Sequence, residues 1–308
     1  MRVHLMSRQP SATPSRTAGH LGLSAPVTAA LAALVLLGAP AFAEGDRAGP
    51  ESKPDIRHFT SGGKEVAVEC FTPAAGGKHP VLVVLHAVDG VEGPLAATYR
   101  RTASACTGEG YVVLLVHYFD RTAAGKKDVE GCRELFVNYF QRKEHTAREV
   151  ERIKALMGQW TEVVRDAVAY ARGLDAVDGE RVGLVGFSLG ATVALAAATE
   201  HDLRLAALVE LFGTLPPERR ADVKKLPPTL IIHGEEDKVV PADEAYNLIG
   251  RLVAQQVTCE AKVYAGTGHM FFLGEKDMQV TPLLAAKQRV RAFLDKHLKQ
   301  HAGATAAK

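Results

Sequence analysis

Beyond residue 55 the chain alternates between two spacings of apolar positions. Short, mostly apolar runs recur near 81–87, 111–118, 182–187, 205–213, 228–234 and 259–265. Runs of that length bounded by Gly, Pro or charged residues read as strands buried on both faces. Between them, apolar residues recur every three or four positions, which predicts helices. The clearest helix starts at Arg148 and reaches about Arg172, with Val150, Ile153, Met157, Trp160, Val164 and Val168 at helical spacing. Trp160 is therefore expected in the core. Two further strands, near 57–61 and 64–72, flank Gly62-Gly63 as a hairpin. Strands that alternate with helices predict a mostly parallel sheet of about eight strands with helices on both faces.

The first 43 residues follow a different pattern. Arg2, Arg8 and Arg16 stand without any acidic residue, an apolar stretch follows from Val27 to Leu37, and Ala39-Pro-Ala41-Phe-Ala43 precedes Glu44. That is the layout of a signal peptide with an A-x-A cleavage site, so a periplasmic or secreted protein beginning at Glu44 is expected. The apolar stretch is short for a bilayer span, and no stable membrane insertion is expected once the leader is removed. Residues 44–55 read as a flexible tether, 56–300 as one folded domain and 301–308 as a tail.

Composition adds mainly exclusions. Apolar residues at 47% and charged residues at 23% are ordinary for a globular chain. Without the three leader arginines, 34 basic and 35 acidic residues remain, for a net charge of −1. A nucleic-acid partner has no electrostatic support there. The four cysteines, Cys70, Cys106, Cys132 and Cys259, have no metal-ligand spacing. Cys106 and Cys132 flank one strand and are open to pairing, whereas Cys70 and Cys259 sit in strand-like runs as buried thiols. The long interruption at 120–144 reads equally as a partial cap or as a solvated loop.

The chemistry is concentrated at Val182-Gly-Leu-Val-Gly-Phe-Ser188-Leu-Gly190, where an apolar strand enters G-x-S-x-G ahead of an alanine-rich helix. This context fits a nucleophile elbow. Its sharp turn exposes a serine hydroxyl at the sheet edge and directs the N–H of Leu189 toward the same point. An acid follows the strand Pro228–Gly234, with Asp237 preferred over Glu235 and Glu236 because it lies at the far end of its loop. His269 lies in Gly266-Thr-Gly-His269-Met, just past the next strand, whereas His233 within its strand reads as structural. The order Ser, acid, His is that of α/β-hydrolases, the fold class expected here. A second oxyanion donor is expected from the backbone of Ala87 or Val88, after the strand Val81–Leu85. Glu210 interrupts an apolar strand near its end and reads either as facing the site, where it would tune His269, or as turned to solvent.

These segments resemble the dienelactone hydrolase family of α/β-hydrolases. The matching pieces are His86-Ala-Val-Asp-Gly90, Tyr111 to Arg121, Val177 to Ser188, Leu211-Phe-Gly-Thr-Leu-Pro216, Gly234-Glu-Glu-Asp237 and Gly266-Thr-Gly-His269, spanning about 80–275. The resemblance implies hydrolysis of a carboxylic ester or lactone through an acyl-enzyme, with no cofactor. The founding enzymes use a cysteine where this chain has Ser188. They also hold a substrate carboxylate with two arginines, one matching Arg121 and the other falling where this chain has Leu273. With Met270, Phe271 and Phe272 beside Leu273, that wall of the site is expected to be apolar. The expectation is an exported serine hydrolase, monomeric or weakly dimeric, acting on a small ester or lactone. The alternatives are a peptidase or acyl-peptide hydrolase and a catalytically idle binding module.

Overall fold

The computed structural model describes residues 53–122, 129–271 and 280–299. The leader, most of the tether, Phe272, Leu273 and the tail lie outside the described residues.

Eight strands form one sheet: β1 (Asp55–Ser61), β2 (Lys64–Phe71), β3 (His79–Leu85), β4 (Val112–Val116), β5 (Val177–Phe187), β6 (Ala207–Leu211), β7 (Thr229–Gly234) and β8 (Cys259–Tyr264). Their spatial order is β1-β2-β4-β3-β5-β6-β7-β8. The pairs β1–β2 and β2–β4 are antiparallel and all others are parallel. The hairpin turns at Gly62 and Gly63, whose φ angles of 54° and 75° suit residues without a Cβ. This is the α/β-hydrolase fold.

In the central strands side chains alternate between faces with period two, yet both faces are apolar, as a doubly covered parallel sheet requires. In β3, Val81, Val83 and Leu85 enter one core while Leu82 and Val84 enter the other. Helices α1 (Ala96–Gly108) and α6 (Val280–Leu298) cover the second core. Helices α2 (Val129–Phe140), α3 (Ala147–Arg172), α4 (Leu189–Glu200) and α5 (Ala242–Ala254) cover the first. Trp160 is fully buried on α3, within ring contact of Phe119, Tyr118 and Phe136. Helix α3 begins one residue earlier than its apolar spacing suggests. Thr146 caps it and exchanges hydrogen bonds with Glu149 in a capping box.

Two sequence expectations need correction here. Cys106 and Cys132 are not joined by a disulfide. Although they flank β4, Cys106 packs against the α1–α6 core and Cys132 lies in the opposite one, so the sheet separates them. Within 120–144, residues 129–140 are a helix whose Cys132, Leu135, Phe136 and Phe140 are buried, not a solvated loop. Just past that helix, Gln141 donates from Nε2 to the Lys238 carbonyl at 2.9 Å, which joins it to the loop after β7.

Candidate active site

Strand β5 passes into α4 through Ser188 alone. Its φ of 52° and ψ of −113° lie in a region costly for any residue with a Cβ, on the order of 1–3 kcal/mol. Surrounding hydrogen bonds hold it there. The Ser188 N–H donates to the Leu211 carbonyl at 2.9 Å, while the N–H groups of Ala191 and Thr192 donate to the Ser188 carbonyl at 3.0 and 3.1 Å. The flanking glycines are required by close approach. A Cβ on Gly186 would lie 2.5 Å from Ala191 Cα, and one on Gly190 would lie 2.5 Å from the Leu85 carbonyl oxygen.

Ser188, His269 and Asp237 are brought together in one hydrogen-bonded chain. His269 Nδ1 donates to Asp237 Oδ2 at 2.6 Å, so its Nε2 is the acceptor for the Ser188 hydroxyl at 2.9 Å. The other Asp237 oxygen accepts from the Val239 and Val240 N–H groups, both at 2.8 Å. The carboxylate is therefore aimed by its own loop, and the imidazole tautomer follows from it. Glu235 and Glu236 are exposed and, among the described residues, make only backbone hydrogen bonds. His233 is buried behind Asp237, donating from Nε2 to the Val240 carbonyl at 2.9 Å. Burial holds its pKa below the ordinary imidazole value. It supports the acid loop and does not reach Ser188.

The backbone donors are sorted by one side chain. Ala87 N–H, one of the two expected oxyanion donors, is already committed to the Tyr99 hydroxyl at 3.0 Å. Val88 N–H and Leu189 N–H make no hydrogen bond among the described residues. Leu189 opens α4, where the first amides have no acceptor within the helix and the dipole favours negative charge. Of the expected backbone donors, Leu189 and Val88 are thus the amides left uncommitted among the described residues. His86, on the same loop, stacks on Tyr118 at 4.2 Å and is fully buried. Burial pushes its pKa down to about 3, and it stays neutral.

Three further residues that the sequence places at or near the site, Arg121, Met270 and Glu210, are resolved by their surroundings. The Arg121 guanidinium donates to Ser61 Oγ at 2.9 Å and pairs with Glu162, at the turn between β1 and β2. That turn is three to four strand positions from β5, roughly 14–19 Å at sheet spacing. Arg121 is a structural ion pair at the sheet edge and is not beside Ser188. Met270, next to His269, is partly buried against the α1–α6 core with a φ of 63°. Glu210 is fully buried rather than turned to solvent. Its Oε1 accepts from Gly213 N–H, while Oε2 has no hydrogen-bond partner among the described residues.

Glu210 carries a consequence for stability. Burial, with the Asp237 charge adding to it, raises its pKa from 4.5 to about 8. The folded protein keeps a proton there that the unfolded chain releases near 4.5. This group's contribution is therefore full below that value and is lost as pH rises toward 8. Glu210→Gln should flatten this fall. Between pH 5 and pH 9, wild type should lose a few kcal/mol relative to the variant in urea denaturation, at about 1.4 kcal/mol per pH unit. Parallel pH dependence in both proteins would show that the carboxyl is not protonated.

Two residues of the site were missed in the sequence. Phe212 follows β6 with a φ of 47° and sets its buried ring edge-on to His269, 5.1 Å between centroids. Its position before Gly213, directly after an apolar strand, was the available signal. Tyr99 had none, because it reaches the site from a helix whose pattern marks it only as core.

Three comparisons place this geometry among known proteins. The family model for the dienelactone hydrolase family matches residues 66–300. A Synechocystis protein that carries a provisional carboxymethylenebutenolidase name is 26% identical over 250 residues, covering 76% of this chain and 93% of its own. Among solved structures, a dienelactone hydrolase-like promiscuous phosphotriesterase from metagenomic libraries superposes with a TM-score of 0.61 at 18% identity, over 80% of this chain and 99% of that one. The acylaminoacyl peptidase of Pyrococcus horikoshii shares the fold with a TM-score of 0.59 at 17% identity, over 80% of this chain but 42% of its own. With most of its length matched by the family model, the chain belongs to the dienelactone hydrolase family, a family of α/β-fold hydrolases.

Proposed function

We propose that this protein is an exported serine hydrolase that cleaves a carboxylic ester or lactone through an acyl-enzyme. The observation that carries the reading is the chain Ser188–His269–Asp237, with links of 2.9 and 2.6 Å, at a strained strand–helix turn. As the Ser188 oxygen attacks the ester carbonyl, His269 Nε2 takes its proton. Asp237, through the Nδ1–H bond, stabilises the imidazolium. Charge developing on the carbonyl oxygen falls to the N–H groups of Leu189 and Val88. His269 then donates its proton to the leaving alkoxide; a water deprotonated by the same imidazole attacks the acyl carbon, and the imidazolium returns that proton to Ser188 Oγ as the acyl–oxygen bond breaks and the acid leaves.

The substrate reading follows from charge. A buried substrate carboxylate calls for a fork of donors, and Arg121 is occupied elsewhere. The buried Phe212 ring packs edge-on against His269, and Met270, the next residue after it, is partly buried against the apolar α1–α6 core. A neutral, fairly hydrophobic ester is therefore favoured over a small carboxylate-bearing lactone. One experiment tests the whole reading. Protein recovered from the exported fraction should begin at Glu44 and be labelled at Ser188 by a fluorophosphonate. Across ester pairs differing by one carboxylate, it should favour the neutral member in kcat/KM by about tenfold or more, on the order of one lost charge-assisted contact. Absence of labelling would remove the serine mechanism, retention of residues 1–43 the export, and preference for the carboxylate the substrate class.

A further inference from the structure

The loop carrying Val88 is held by a side chain from outside it. Tyr99, on α1, is 1% exposed, and its hydroxyl bridges two points of the loop. It accepts from Ala87 N–H at 3.0 Å and donates to Asp89 Oδ1 at 3.0 Å. The other Asp89 oxygen accepts from Leu95 N–H at 3.3 Å, and Gly90 N–H closes on the Ala87 carbonyl at 3.2 Å. Residues 87–95 are thus wrapped around Asp89 and pinned to one phenol. The same ring lies 5.5 Å from that of Phe187, the residue before Ser188. Burial and the Asp89 charge raise the Tyr99 pKa, which keeps the hydroxyl neutral and able to donate.

We infer that Tyr99 is the positioning residue of the oxyanion hole. It occupies the Ala87 amide so that Val88 is the loop's donor, and it fixes that donor relative to Leu189 by touching both the loop and the residue before the nucleophile. A buried tyrosine normally finds a hydrogen-bond partner for its hydroxyl. Here the hydroxyl satisfies two groups of the same turn, a constraint that packing of the ring alone cannot supply. The inference rests on the serine-hydrolase reading and deepens it.

The test is Tyr99→Phe, which keeps the ring and its contact with Phe187 while deleting the bridge. Rates are normalised to sites titrated with a fluorophosphonate, so that misfolded protein is not counted. The expected result is a fall in kcat of about 10–100-fold with KM changed by less than about threefold, because the oxyanion forms only after binding. The inhibition constant of a trifluoromethyl ketone, which presents an oxyanion on addition of serine, should rise by the same factor as kcat/KM falls. Unchanged kcat per titrated site, or a trifluoromethyl ketone bound as tightly as by wild type, would overturn the assignment. A wild-type protein that is neither labelled nor active would overturn the serine-hydrolase reading and this inference with it. A labelled, active wild type beside an unaltered Tyr99→Phe would overturn the positioning role alone.

Discussion

Ser188→Ala and His269→Ala are each expected to lower turnover of an activated aryl ester by on the order of 10³–10⁶ while leaving the protein folded. The two side chains act as one unit: the imidazole is useful only with a hydroxyl 2.9 Å from Nε2, and the hydroxyl only with a base. The double variant should therefore be little worse than either single one. Folding should survive because alanine at either position removes no large apolar group from the core. Circular dichroism and steady-state kinetics on the three variants check the expectation. Near-normal turnover in either single variant, or losses that multiply in the double, would remove the nucleophile–base assignment.

The second large effect is steric. Gly190→Ala adds one carbon 2.5 Å from the Leu85 carbonyl oxygen and closer still to that of His86. Neither oxygen can yield easily, since both belong to backbone where β3 ends and the Val88 loop begins. Relief requires α4 to move away from β3, which also separates Leu189 from Val88. Overpacking of this kind costs about 1–3 kcal/mol, and disturbing an oxyanion donor costs about 10²–10³ in kcat. Gly190→Ala should show both losses together. Gly158→Ala is the internal control: it lies on α3 with open space around the added carbon, so it should be neutral or stabilising by up to about 1 kcal/mol. Urea denaturation and kcat for the two variants decide the matter. Full activity in Gly190→Ala would show that the strand and helix are not in forced contact.

The layout of the fold was legible because it depends on local pattern. Apolar runs of strand length, separated by helical spacing, give a parallel sheet almost regardless of which apolar residue stands where. The ends of strands were less legible. β6 was expected over 205–213 but closes at Leu211, because Phe212 adopts a positive φ that no local preference of phenylalanine predicts. Likewise β5 extends back to Val177, since pairing with His79 on β3 recruits residues that are not apolar enough to read as strand.

At the candidate site the same division holds. Ser188, Asp237 and His269 were visible because each stands in a turn just past a strand, where the backbone itself demands glycines and a small or polar residue. What those turns bring together is decided by sheet order: β5, β6, β7 and β8 lie side by side, so loops separated by 81 residues meet within a hydrogen bond. Roles that depend on a partner from a distant element could not be read locally. Arg121 stood in the expected motif, yet Ser61 and Glu162, remote in sequence, claim its guanidinium. Ala87 and Val88 were equivalent amides until Tyr99 took one of them. Glu210 was a polar residue at a strand end until the helices on that face buried it. Periodicity and turn chemistry determined which elements form and which residues stand at their ends. Tertiary structure decided which charges are satisfied, which amides remain available and which carboxyl keeps its proton, because those depend on burial and distance between segments that share no local pattern.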